Sequence, residues 1–397
     1  MESPWKPYLR ENILDPYPMY KTLRENDPIH KARSGEWVVT RYEDSRNILK
    51  DGRFLVGNRA SWLNELSSKY LDQWEKFSAI VDALNSFMVF KNPPDHPILR
   101  KLVMQAWNNH EVDRILESNV KMLMNEVKDG KIDIATGLAS RLPTMTMMQV
   151  LGLPQSDHDF LAGLSHQMMK SLDFYLTLRE IEKMTYATEL FIDYFEKLAK
   201  EKLAKADDTL ISRIVALNKE EQQVPHHELI ANCFFLFIAG GETTAGLIGP
   251  GLFHLISQDK LSEATITEEM IPKVVDELLR YDSPTQIVGR IASTALKIGD
   301  HQFSEGDLIT VCLGAANRDP EKFAQPEELI LDRSPNPHLA FSAGAHRCIG
   351  DWLAKREFEC VLKDILARYD HVSITEPPIW KENFNFRCLQ SLQVTFE

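Results

Sequence analysis

Residues 341–350 read FSAGAHRCIG. Cys348 stands between a His-Arg pair and an Ile-Gly pair. A thiol becomes a thiolate only with help from nearby positive charge, helix N-terminal amides or a metal. The stretch that follows, DWLAKREFECVLKDILARY (351–369), has helical periodicity, so the cysteine sits just before a helix whose amides favour negative charge. Gly344 and Gly350 permit tight turns and close approach of something bulky, and His346 and Arg347 add donors. The arrangement suits a thiolate that binds a metal and keeps its charge. The competing reading of the cysteine alone is a buried, inert thiol.

The rest of the chain narrows the choice. It has 397 residues and a net charge of −13, with 44% hydrophobic and 26% charged residues. That is the composition of a globular protein with a core, and it argues against general nucleic-acid binding. The five cysteines, Cys233, Cys312, Cys348, Cys360 and Cys388, are odd in number and form no Cys-x-x-Cys pair. Neither a paired-cysteine zinc site nor a disulfide framework is expected, and a reducing compartment fits. The opening MESPWKPYLRENILDPYPMY carries charges and prolines throughout and reads as neither signal nor anchor. CFFLFIAGG (233–241) is too short to span a bilayer before Glu242 and reads as buried helix. A cytoplasmic protein that uses no membrane is expected.

No repeat, low-complexity segment or flexible linker interrupts the chain, so one domain over 1–397 is expected. WVVTRY (37–42) reads as a strand and YEDSRNILKD after it as a helix. Residues 95–204 are mostly helical in pattern, including EVDRILESNVKMLMNEVKDG and ELFIDYFEKLAKEKLAK. LNKEEQQVPHHE (217–228) reads as a polar loop before a long helix reaching about residue 257. PKVVDELLRY (272–281) is helical with a proline at its start. QIVGRIAS, ALKIGD and LITVCLG read as strands, and 317–337 as irregular. The fold class is mainly α with a minor β portion.

FSAGAHRCIG resembles the heme-binding loop of the cytochrome P450 family, Phe-x-x-Gly-x-His/Arg-x-Cys-x-Gly. The resemblance implies that Cys348 is the axial thiolate ligand of the iron of heme b (iron protoporphyrin IX). It also implies a cytochrome P450 fold, with heme buried between the long central helix and the cysteine-loop helix. Phe341, His346 and Gly350 fall at cofactor-contacting positions of the loop. Ser342 departs from the glycine frequent at the second position.

Other family-like segments follow in the expected order. AGGETT (239–244) puts two glycines inside a predicted helix, each costing about 1 kcal/mol against alanine. On physical grounds something flat approaches that backbone, or the helix opens locally. The resemblance makes Ala239 and Gly240 cofactor-contacting, with Glu242 the acid and Thr243 the alcohol of a pair that relays protons during dioxygen activation. Glu277 and Arg280 share a helix face at i, i+3, and the resemblance joins them to Arg333 in a buried ion triad. Ile330 stands where many relatives carry aspartate. For the heme propionates, the resemblance implicates His96 and Arg100, at i, i+4 on a helix beginning near Pro97, with Arg290 on a strand and His346 in the loop. GAANRDP (314–320) adds a further family-like stretch.

Substrate positions in this family vary. NSFMVFKN, MMKSLDFYLTL (168–178), Phe237, Ile238, Ile287, Val288 and FNFRCLQS (384–391) are the candidates, and their composition implies an apolar pocket. A fatty-acyl or polyketide-type substrate, free or on a carrier protein, is expected, with a steroid or terpenoid as the alternative. Arg387 is either a handle for a substrate carboxylate or hydroxyl, or a surface charge. The chain has no flavin or iron–sulfur motif, so electrons are expected from a separate ferredoxin or flavodoxin, docking near Lys91, Arg347, Lys355 and Arg356. A peroxide-using enzyme and a non-catalytic heme sensor are the competing functions. The acid-alcohol pair argues for the monooxygenase.

Overall fold

The structure is a computed structural model describing residues 3–57, 63, 74–108, 111–172 and 176–397. Helices α1 (Arg10–Leu14) and α2 (Tyr17–Asn26) lead to strands β1 (Ile29–Lys31) and β2 (Trp37–Val39). Helix α3 (Tyr42–Lys50) and strand β3 (Phe54–Leu55) follow, then helices α4 (Ser78–Ser86), α5 (Asp95–Ala106) and α6 (Val112–Asn125), and strand β4 (Lys131–Asp133). The middle of the chain is helical: α7 (Arg141–Leu151), α8 (His158–Met169), α9 (Leu178–Ala204), α10 (Leu210–Glu221) and α11 (His226–Ser257). After α12 (Ile271–Tyr281) come strands β5 (Ile287–Ala292), β6 (Leu296–Ile298), β7 (His301–Phe303) and β8 (Leu308–Cys312). The chain closes with α13 (Leu313–Ala316), α14 (Asp351–Arg368), β9 (Val372–Ile374), β10 (Ile379–Trp380), β11 (Leu389–Ser391) and β12 (Gln393–Phe396).

Local chemistry explains the boundaries. The Thr177 side chain accepts from the Glu180 amide while Glu180 reaches back to the Thr177 amide, a capping box that starts α9. Pro272 sits in the first turn of α12, as expected. The polar loop expected over 217–228 is shorter than its composition suggests. Residues 217–221 complete the last turn of α10, and Gln222 ends it in the left-handed region at φ +51°.

Contacts divide the chain into two compact units. One comprises Met1–Leu55, Leu116–Leu142 and Thr243–Glu397. Its main sheet runs β1-β2-β8-β5-β3, antiparallel throughout except for the parallel β2–β8 pair. Val39, Ile48, Phe54, Phe303, Val311 and Phe323 form its core, to which Leu339 and Ala343 also belong. The approach to Cys348 is thus anchored in packed side chains, each fully buried one contributing about 1.5–3 kcal/mol. A smaller sheet runs β4-β12-β9.

The other unit comprises Val56–Ile115 and Pro143–Glu242. Its centre is aromatic. Phe191 stacks on Phe234 at 5.4 Å, Phe237 meets Phe191 edge-on at 6.3 Å, and Phe87 packs on Phe235 at 4.7 Å. This cluster accounts for the apolar run 233–238. Helix α11 is long and apolar enough to cross a bilayer, and its most apolar window is 72% buried within the protein. It continues through Gly240 and Gly241 without interruption.

Candidate functional site

The cysteine loop is held by its own backbone. The Cys348 amide donates to the Phe341 carbonyl at 3.0 Å and the Arg347 amide to Gly344 at 3.2 Å. Gly344 has φ +73°, and a Cβ there would stand 2.2 Å from the Leu49 carbonyl oxygen at the end of α3. Only glycine fits. Ser342, at the position that departs from the family pattern, adopts φ +60°, and its buried hydroxyl has no hydrogen-bond partner among the described residues. Cys348 is exposed, and Gly350, two residues on, is the N-cap of α14. Cys348 therefore stands just before a helix N-terminus, where a thiolate is favoured.

The irregular segment before this loop is tied to α12 by a buried triad. Glu277 and Arg280 are both fully buried and pair twice at 2.8 Å. Arg333 Nε reaches the same carboxylate at 3.0 and 3.1 Å. The Ile330 amide donates to Glu277 Oε1 at 2.9 Å, and Asn336 Nδ2 to Oε2 at 3.2 Å. The replacement of aspartate at 330 leaves the triad intact, because the backbone at that position makes the contact. Arg280 also donates to the carbonyls of Asn317, Pro326 and Glu328. Asn317 Oδ1 accepts from the Leu339 amide at 2.6 Å.

Arg290 lies on β5 opposite Ile309. Its side chain is buried, and its guanidinium donates to the Gly289 carbonyl at 2.7 Å. Among the described residues it has no carboxylate partner. Burial pushes its pKa down to about 10. A buried cation without a counter-charge is costly and fits an anionic ligand. In the other unit, buried His96 and half-buried Arg100 lie one turn apart on α5, which begins two residues before Pro97. Burial and the Arg100 charge hold His96 below the usual imidazole range. His346 is half-buried in the one-turn 3-10 helix Gly344–His346. Among the described residues, no group of three or more His, Cys, Asp or Glu side chains is arranged to hold a metal ion. Within the first unit, the exposed thiol before a helix N-terminus and the buried Arg290 guanidinium fit a metal-bearing group with acidic arms.

The glycine pair in α11 also makes close packing possible within its own unit. A Cβ on Gly240 would meet Met147 Cγ at 2.6 Å and Sδ at 2.9 Å, so Gly240 makes room for α7. A Cβ on Gly241 would lie 3.6 Å from Thr144 Oγ1, ordinary contact. Ala239 is half-buried, as are Glu242 and Thr243, and Thr244 is buried. Glu242 Oε1 lies 2.8 Å from His166 Nδ1 on α8.

The sequence pattern of the family described as "Cytochrome P450" matches residues 64–390. The chain belongs to the cytochrome P450 family. The P450 is 32% identical to "Polyketide biosynthesis cytochrome P450 PksS" and 31% identical to "Biotin biosynthesis cytochrome P450", both of Bacillus subtilis, with 98% of each chain covered. Its fold matches the crystal structure of P450BioI in complex with hexadec-9Z-enoic acid ligated acyl carrier protein. That match has a TM-score of 0.89 and 30% identity, covering 98% of this chain and 99% of the other. The P450 is accordingly a heme-dependent monooxygenase of the cytochrome P450 fold, its iron held by a cysteine thiolate.

The structure places the peripheral candidates as follows, and it changes the reading of one, Arg387. Arg387 is neither a substrate handle nor a surface charge. It is buried, paired with Asp282 at 3.2 Å, and stacked over Trp380 at 3.9 Å. The cations expected to form a docking patch each have an acidic neighbour. Arg347 pairs with Asp351, Lys355 with Asp276 and Arg356 with Glu359, while Lys91 is largely buried against Glu228. Phe237 and Ile287 belong to packed cores. The expected lid over 168–178 lies partly outside the described residues. His166 was not legible in the sequence, since no motif links it to a residue 76 positions away.

Proposed function

We propose that this P450 hydroxylates an apolar fatty-acyl or polyketide-type chain, free or attached to a carrier protein, with electrons from a separate ferredoxin or flavodoxin. Cys348 is the iron ligand in this reading. Arg290, His346, His96 and Arg100 take the propionates, and Ala239, Gly240, Phe341 and Gly350 contact the macrocycle. When bound, heme supplies the redox chemistry that splits dioxygen: one oxygen atom enters the substrate C–H bond and the other leaves as water.

The observation that carries the site assignment is the presence, in one unit, of an exposed cysteine beside a helix N-terminus and a buried guanidinium with no carboxylate partner among the described residues. Thr243 and Glu242 hold and hand on protons. NAD(P)H is the ultimate electron source and the cytoplasm the proposed location. The acyl substrate class is supported by the relatives named for polyketide and biotin biosynthesis and by the acyl carrier protein bound to P450BioI. The test is a spin-state titration of the ferric holoenzyme with a long-chain fatty acid, the same acid on an acyl carrier protein, and a steroid. A high-spin shift with either acyl ligand at lower concentration than with the steroid is expected. A shift with the steroid alone would overturn the substrate class.

A further inference from the structure

Glu242 sits in the middle of α11 with Ile238, Ala239, Ala245 and Gly246 as its neighbours one turn away, none of them ionisable. Its carboxylate meets His166 Nδ1 of α8 at 2.8 Å. The two ends of this contact differ in exposure. The His166 side chain is 65% exposed and that of Glu242 24%. An ionised carboxylate only accepts hydrogen bonds, so the imidazole nitrogen facing it carries the proton. The neutral ring is then the Nδ1–H tautomer, which leaves the Nε2 lone pair available to take a proton.

We propose that His166 is the proton inlet for Glu242, connecting bulk water to the relay carboxylate. The inference rests on the reading of Glu242 as the relay acid. A proton from water adds to Nε2, the Nδ1–H bond breaks, and that proton passes to Glu242 Oε1, forming the neutral acid. Once Glu242 has passed its proton on, loss of the Nε2 proton to water and reprotonation at Nδ1 restore the starting tautomer. Imidazole suits this work because it can bind a proton at one nitrogen and release another from the second near neutral pH. The role belongs to this chain's own pair of helices and needs no further ionisable group on the Glu242 face of α11.

The test has two parts. Nitrogen-15 NMR of histidine-labelled holoenzyme in the ferrous carbon monoxide form reports the His166 tautomer without turnover. Nδ1–H is expected in the parent protein, reverting in Glu242→Ala to the Nε2–H form usual for exposed histidines. An Nε2–H tautomer in the parent would overturn the proposal. The second part compares peroxide released per NAD(P)H consumed. His166→Phe and His166→Gln should both raise it several-fold, with melting temperature and carbon monoxide spectrum unchanged. Gln can donate to Glu242 but cannot carry a proton through, so full coupling in His166→Gln would reduce His166 to a positioning residue and overturn the inlet. If Glu242→Gln uncouples while neither His166 variant does, the inlet alone fails. If Glu242→Gln stays coupled, the reading of Glu242 as the relay acid has failed.

Discussion

Gly344 lies so close to the end of α3 that a Cβ on it would stand 2.2 Å from the carbonyl oxygen of Leu49 and 3.0 Å from the Cα of Lys50. Both obstacles are backbone, and the residue also has φ +73°. Gly344→Ala must therefore move the loop that carries Cys348. Left-handed strain and overpacking together cost about 2–5 kcal/mol. Chemical denaturation should show that loss, and heme content per polypeptide should fall with it. Unchanged heme content would mean that the loop tolerates displacement.

Ser342 is the converse case. It holds φ +60° with a buried hydroxyl that finds no partner among the described residues. Ser342→Gly removes left-handed strain of about 1–2 kcal/mol and an unsatisfied polar group costing about 1–3 kcal/mol. Against this stands about 0.5–1 kcal/mol of added backbone entropy in the unfolded chain. A net gain of about 1–4 kcal/mol is expected in urea unfolding, and destabilisation would show that the serine makes an interaction of value.

Glu277 accepts from Arg280, Arg333, Ile330 and Asn336 in a site with no exposure. Glu277→Gln leaves two buried guanidinium groups without their counter-charge. The cost should be about 3–5 kcal/mol. Because Arg280 and Arg333 also grip the carbonyls of 317–328, heme retention should drop in parallel. Denaturation and heme absorbance on the same sample check both.

Asp282 gives a pH prediction. Burial alone would raise its pKa, but Arg387, His254 and Tyr17 outweigh burial and hold it well below the ordinary value near 3.8. A carboxylate depressed in the folded state contributes stability that is fully present above its unfolded pKa and is lost as pH falls below it. Stability should therefore decline as pH drops below about 3.8, more steeply in the parent than in Asp282→Asn. Parallel acid limbs for the two proteins would contradict the assignment. At neutral pH the variant should be less stable, since Arg387 loses its partner.

The parts of the site that were legible in the sequence are those whose chemistry is local. FSAGAHRCIG carries its turn glycines, its helix and its cysteine within one stretch, and Glu277 and Arg280 share a helix face. The long helix around Glu242 could be read from its apolar run. What was missed depends on partners distant in the chain. Gly240 reflects the Met147 side chain, Arg387 is claimed by Asp282, and Glu242 meets His166. The three-residue strands β4 and β9 are too short to show alternation and exist because β12 pairs with both. The polar residues 217–221 at the end of α10 look like loop in the sequence, so the loop over 217–228 reads longer than it is.

The central claim is that Cys348 is the thiolate that holds the heme iron. The direct measurement is the difference spectrum of dithionite-reduced protein with and without carbon monoxide, for the parent and for Cys348→Ala. The account predicts the red-shifted Soret band characteristic of carbon monoxide opposite a thiolate in the parent, and its loss in folded Cys348→Ala. The same red-shifted band in Cys348→Ala, or its absence from well-folded, heme-loaded parent protein, would contradict it.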